Sequence, residues 1–254
     1  MTLRFDRRAL AAAVLVCWVA GMAMLARRRH NVSDVELLAR GALRLEPSTY
    51  FYVVYQDGQQ IGSAMSSIDS SASGFTSRAT VRVRTLIAGD SQSVVATSAA
   101  YLSRAFALDS FALSISGDQH PLRLRGTPEP HSSVLLPTLA PVALMLTREP
   151  RIGASSERWV YNPIARRVER VTLTIAAESL FSVVDSAAFD SAARAWIPAH
   201  QDTVRSWKIV TPADGISAWV DSQGRIVAAH EAGGASLMRS TYEIATLNPG
   251  LRNH

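Results

Sequence analysis

Residues 49–57, TYFYVVYQD, turn at Asp57-Gly58 into IGSAMSSID at 61–69, and this stretch decides the fold class. Aromatic and β-branched residues favour a pleated, half-buried surface, and Asp-Gly accepts the positive φ angles of a tight turn. The stretch therefore reads as a β-hairpin. Downstream, FTSRATVRVRTLI at 75–87 sets Ala79, Val81, Val83 and Leu86 against Arg78, Arg82 and Arg84. A turn at 88–90 leads to SQSVVATSAAYLS, then AFALDSFALSISG and HPLRLRG, so residues 48–126 hold about six strands. Strands joined by short polar turns, with no helices between, predict an antiparallel sheet.

The pattern breaks at 127–155, where Pro128, Pro130, Pro137, Pro141 and Pro150 surround the apolar run VLLPTLAPVALML. Two prolines inside that run exclude an ordinary membrane span. A short helix over 141–147, packed on the sheet, is the simpler expectation; an exposed loop touching lipid or a partner is the alternative. Residues 156–246 resume with ERWVYNP, RVERVTLTIAAE, SLFSVVDSA, TVRSWKIVT, GISAWVDSQ and RIVAAHE, about six more strands. SLMRSTYEIAT then supplies one more strand or a terminal helix, and 247–254 form a tail.

Upstream of the hairpin the period is helical. In NVSDVELLARGALRLE at 31–46, Ser33 and Glu36 stand at capping-box spacing and Val35, Leu38, Ala42 and Leu45 share one face. Residues 27–47 thus form an amphipathic connector. Before it, ALAAAVLVCWVAGMAMLA at 9–26 is free of charge. At about 1.5 Å per residue it spans roughly 27 Å, enough for a bilayer core, and predicts a transmembrane helix. A cleaved signal peptide is the competing reading, opposed by the length of the run and by Arg27, Arg28 and Arg29 directly after it. Residues 1–8 then form a short cytoplasmic N-terminus. Three arginines on each side tie under the positive-inside rule. The long remainder is placed on the periplasmic side of a bacterial inner membrane because short N-terminal flanks usually stay inside. Ala9, Ala13, Cys17 and Gly21 recur every four residues, a small-residue stripe against which a neighbouring membrane helix could pack.

Charge follows the same division. The 254 residues carry a formal net charge of +5. Arg4, Arg7, Arg8, Arg27, Arg28 and Arg29 against Asp6 account for all of it, and residues 31–254 are neutral. A nucleic-acid surface is therefore not expected, since Arg78/Arg82/Arg84, Arg123/Arg125 and Arg166/Arg167/Arg170 lack interleaved aromatics. Acidic neighbours or lipid head groups suit these clusters better. Trp159, Trp196, Trp207 and Trp219 are expected in the core or at an interface.

The motif Y-x-Y-V-V-Y-x-x-G-x-x-I-G at 50–62 and AWVDSQGRIV at 218–227 resemble β domains of bacterial envelope proteins, the LolA/LolB-like lipoprotein carriers. The resemblance covers roughly 48–245. It implies a half-barrel wrapping a helix, with an apolar concave face able to hold a lipid, a lipidated peptide or the chain's own helix. A membrane anchor departs from a soluble shuttle.

No phosphate-binding glycine loop occurs, and the one cysteine lies in the anchor, so neither a nucleotide nor a cysteine-held zinc is expected. His120, His131, His200 and His230 are scattered; His200 with Asp202, or His230 with Glu231, could meet across strands, though surface histidines are the simpler reading. The Asp-Ser pairs at 109–110, 185–186, 190–191 and 221–222 lie in no nucleophile elbow and suit turns and caps. The chain thus reads as a mainly β protein: a large curved antiparallel sheet or half-barrel behind one transmembrane helix and a short amphipathic helix. The expected function is a non-enzymatic accessory or scaffold subunit, without metal or cofactor, of a membrane complex such as an energy-transducing one. Its partners would be membrane subunits and the bilayer. An anchored periplasmic module binding a lipid or lipopeptide is the alternative, and an envelope hydrolase comes last.

Overall fold

The computed structural model describes residues 34–87, 90–117, 121–128, 134–147, 149–163, 165–211, 216–231 and 233–248. The predicted membrane segment, its stripe at Ala9, Ala13, Cys17 and Gly21, and its flanking arginines 4, 7, 8, 27, 28 and 29 lie outside them. So do Ser33, His120 and His131. No helix among the described residues is long and apolar enough to cross a membrane.

The expected hairpin is present. Strand β1 (Ser48–Gln56) and β2 (Gln59–Ser70) pair antiparallel, with Gln56 opposite Gln59. Asp57 and Gly58 both take positive φ, 50° and 77°, the twist that a two-residue hairpin loop requires. The meander continues through β3 (Gly74–Ile87), β4 (Asp90–Ser103), β5 (Leu108–Ser116) and β6 (Leu122–Gly126). The second half runs β7 (Val134–Leu135), β8 (Ser155–Asn162), β9 (Arg167–Asp190), β10 (Ala195–Thr211), β11 (Ile216–Asp221), β12 (Ile226–His230) and β13 (Ala235–Ser240). All belong to one open, curved sheet of order β6-β5-β4-β3-β2-β1-β13-β12-β11-β10-β9-β8-β7. Every described pairing is antiparallel except β7 with β8.

Three details differ from the sequence reading. The runs at 167–178 and 179–187 are one strand, β9, because Glu178 is not a break. Its carboxylate accepts from Arg205 Nε at 2.6 Å and Trp207 Nε1 at 3.1 Å, binding it across to β10. Strand β10 begins at Ala195 instead of 203, since Asp190 Oδ1 accepts from the N–H groups of Ala192 and Ala193 and closes the turn there. The C-terminal segment supplies both alternatives: after β13, Thr241 caps a short helix, α3 (Tyr242–Thr246).

The Pro-rich stretch goes inside. After β7 and a 3-10 turn at Pro137–Leu139 comes α2 (Ala140–Thr147). A helix apolar on all sides must be buried. Ala140, Val142, Ala143, Leu144 and Met145 are at most 5% exposed, which excludes the lipid-touching loop. The sheet wraps α2, and Leu135, Leu173, Ile209 and Val220 close the core around it. The amphipathic helix, α1 (Asp34–Ala42), packs against α2 through Leu38 and Ala42. It ends before the expected residue 46, where Arg44 and Leu45 donate to the carbonyls of Gly41 and Ala42 in a tightened last turn.

A second, smaller layer covers the outer face. Val53, Val183, Val227 and Ala245 are buried there, away from α2. The β9–β10 hairpin contributes Phe181, edge-on to Trp219 of β11, and the C-terminal helix contributes Tyr242, edge-on to Phe51 of β1. At the start of the expected tail, Asn248 is tied to β10: its Oδ1 accepts from Trp196 N–H at 2.7 Å, and its Nδ2 donates to Trp196 O at 3.2 Å.

Candidate functional site

Alternation along the strands puts two chemistries on the two faces of the sheet. Tyr50, Tyr52 and Val54 of β1 point inward, as do Ala79, Val81 and Val83 of β3. Arg78, Arg82 and Arg84 point outward, Arg78 pairing with Asp69 at 3.1 Å. The Arg166/Arg167/Arg170 cluster is likewise matched by acids: Arg167 pairs with Glu169, and Arg170 with Glu157 while lying over the ring of Trp159.

On the concave face α2 fills only part of the space. A cavity of about 1100 Å³ remains between α2 and strands β1–β4 and β10–β13. Aliphatic and aromatic side chains line its middle, among them Val54, Ala64, Ile226 and Leu237. Ligand sites of about 300–1,000 Å³ are usually of this kind, apolar with a few placed polar groups.

The polar groups gather at the end near Tyr50. The β11–β12 turn is held by Asp221, 2% exposed. Its Oδ1 accepts from the N–H groups of Gln223 and Arg225 at 3.0 and 2.9 Å, and its Oδ2 from Arg225 Nε at 2.6 Å. Gly224, at φ 79°, lets the turn press on α2; a Cβ there would lie 3.2 Å from Val142. Arg239 reaches the same carboxylate from β13, 3.9 Å from Oδ2, and lies over the Tyr50 ring at 5.4 Å. Its Nη1 is buried and makes no hydrogen bond to the described residues. Burial opposes the Arg225 charge, but the hydrogen bond and field of Asp221, with Tyr50 adding, outweigh it and raise the guanidinium pKa. Tyr52 donates to Ile226 O at 3.3 Å, and burial pushes its phenol well above the usual range.

The histidines divide. His230 and Glu231 line the opposite end of the cavity. His200 does meet Asp202, together with Asp185: one ligand atom from each lies within 4.8 Å of the others. Asp185 and Ala199 are unmatched residues in the β9–β10 register, and these irregularities bring the three groups to one spot. His200 Nδ1 lies 2.9 Å from Asp185, whose hydrogen bond raises the imidazole pKa, its charge and that of Asp202 adding. All three are exposed, outside the cavity, and number fewer than the four ligands of a structural zinc site.

The charged end was not expected as a site. AWVDSQGRIV reads as a hairpin whose turn carries Arg225, and Arg239 is the one charged residue of the strand Ala235–Ser240; nothing local in the chain marks the two as neighbours.

The chain matches no protein-family model and no curated protein. Among solved structures it is similar to a crystal structure described as a beta-barrel-like protein of domain of unknown function DUF1849 from Brucella abortus. The two share 11% identity at a TM-score of 0.48, over 78% of this chain and 96% of that one.

Proposed function

We propose that the domain is a binding module that holds the apolar chain of a lipid or lipidated peptide, as the LolA/LolB-like resemblance implies. The observation that carries this reading is the cavity of about 1100 Å³ left on the concave face after α2 has taken its place. Burying a methylene group contributes about 0.8 kcal/mol, so a long acyl chain gains ample free energy there. The anchor expected at 9–26 would keep such a module at the bacterial inner membrane, on the periplasmic side.

Mass spectrometry of the protein, purified without added lipid and released under native conditions, tests the reading. A bound lipid or acylated species at near-stoichiometric occupancy is expected. A ligand-free protein that also takes up no lipid from vesicles would overturn it.

The accessory-subunit reading draws on a different observation. At the tip of the β9–β10 hairpin, Phe189 and Trp196 pack edge-on at 5.5 Å, with Phe189 and Ile197 exposed. Such side chains anchor protein interfaces. Stoichiometric membrane subunits co-purifying in mild detergent, and lost on Phe189→Ser, would favour it.

A further inference from the structure

The two ends of the cavity differ in charge, and this difference carries an inference about the ligand that rests on the binding reading above. Strand β1 runs along the cavity from Tyr50 to Gln56, roughly 20 Å at about 3.3 Å per residue. At the far end stand His230 and Glu231; near the Tyr50 end, Arg44 and Glu46 are exposed and offset each other. What remains at the Tyr50 end is one group: the half-buried guanidinium of Arg225 and the nearly buried one of Arg239 around the buried carboxylate of Asp221.

That group carries one uncompensated positive charge. Asp221 already accepts two backbone N–H groups and Arg225 Nε, so it has little left for Arg239. Arg239 Nη1 is cut off from water without a hydrogen bond, an arrangement a fold avoids unless an acceptor arrives or a nearby anion compensates. Arg225 opens onto the cavity itself, and Asp221 and Tyr50 together use only part of its fork of five donors. Low polarity around the group strengthens its pull on an anion.

We infer that the cavity takes a long acyl chain ending in one carboxylate, a fatty acid. Its head meets Arg225 beside Tyr50, Arg239 supplies the second positive charge from behind the Tyr50 ring, and the chain lies along β1 towards Gln56. A single negative charge balances the group, whereas a phosphate dianion would exceed it. An uncharged head would leave both guanidiniums as they are.

Binding of oleic acid and of oleyl alcohol to the full chain, below their aggregation limits, tests this, because the two probes share a chain and differ in the head. Oleate is expected to bind about ten-fold more tightly, as a charge-assisted hydrogen bond provides. Arg225→Gln should remove that preference while leaving the alcohol within about two-fold, and Arg225→Lys should restore part of it. Arg239→Met, which keeps the packing on Tyr50, should weaken oleate alone. Equal binding of acid and alcohol, unchanged in Arg225→Gln, overturns the carboxylate assignment and leaves the apolar cavity reading intact. Binding of neither probe overturns both. Tighter binding of oleyl phosphate than of oleate overturns the single-charge match.

Discussion

A Cβ placed on Gly41 would stand 2.1 Å from the carbonyl oxygen of Leu146. Helices α1 and α2 therefore meet backbone against backbone, which only glycine permits. Gly41→Ala must push the helices apart, and overpacking of this kind costs about 1–3 kcal/mol. Urea unfolding should show it as a lower midpoint at unchanged slope. An unaltered midpoint would mean that α1 does not dock on α2.

Leu38, 1% exposed, fixes the same helix from its apolar side. Leu38→Ala is expected to cost about 2–5 kcal/mol, against a few tenths for Leu43→Ala on the exposed side. Similar losses at the two positions would contradict the assigned face.

Asp221→Ala removes the acceptor of two backbone N–H groups and strands Arg225 and Arg239 near each other. Breaking one partner of a buried ion pair costs about 3–5 kcal/mol. Arg78→Ala, which breaks the exposed pair with Asp69, should cost about 0–1 kcal/mol. Thermal unfolding of the two variants side by side measures the contrast.

Lipid occupancy should respond to volume. Ala79 faces the cavity from β3, and Ala79→Phe places a ring where a ligand chain would lie. Bound lipid in native mass spectrometry should fall several-fold while the melting temperature holds or rises. Unchanged occupancy would place the ligand elsewhere.

The His200 imidazole, bonded to Asp185, should titrate above its ordinary pKa of 6.5. Its contribution to stability is complete below that value and is lost as pH rises through the raised folded pKa, because the folded state holds the proton longer. In a proton-resonance titration, Asp185→Asn should bring His200 back towards 6.5. A His200 value insensitive to Asp185 would show that the pair does not form.

Much of the architecture was legible because strand alternation and turn chemistry are local. Asp57-Gly58 announces its hairpin, Pro137 and Pro141 announce the interruption, and the all-round apolar 140–147 announces a buried helix. The failures were long-range. Glu178 reads as a polar break until Arg205 and Trp207, 27 and 29 residues later, are seen to hold it. The charged end of the cavity draws Tyr50 from β1, Asp221 and Arg225 from one turn and Arg239 from β13, and no spacing in the chain records that they converge. The Asp185–His200–Asp202 cluster was half legible, since the His200–Asp202 spacing is local, but Asp185 arrives only through irregular pairing.

Among the described strands, only the neighbours β1 and β13 are distant in sequence; every other pair is consecutive. Each half of the sheet can therefore zip up from its own local turns, and one late seam joins them. Strands β6 and β7, the two outer edges, are consecutive in the chain but do not pair among the described residues. A chain cut between them should still reassemble from its two halves through β1 and β13. Because Tyr52 and Leu237 face the cavity from either side of that seam, the hollow exists only once the final strand has closed. The hollow is thus a certificate of completed folding, withheld from any half-built molecule.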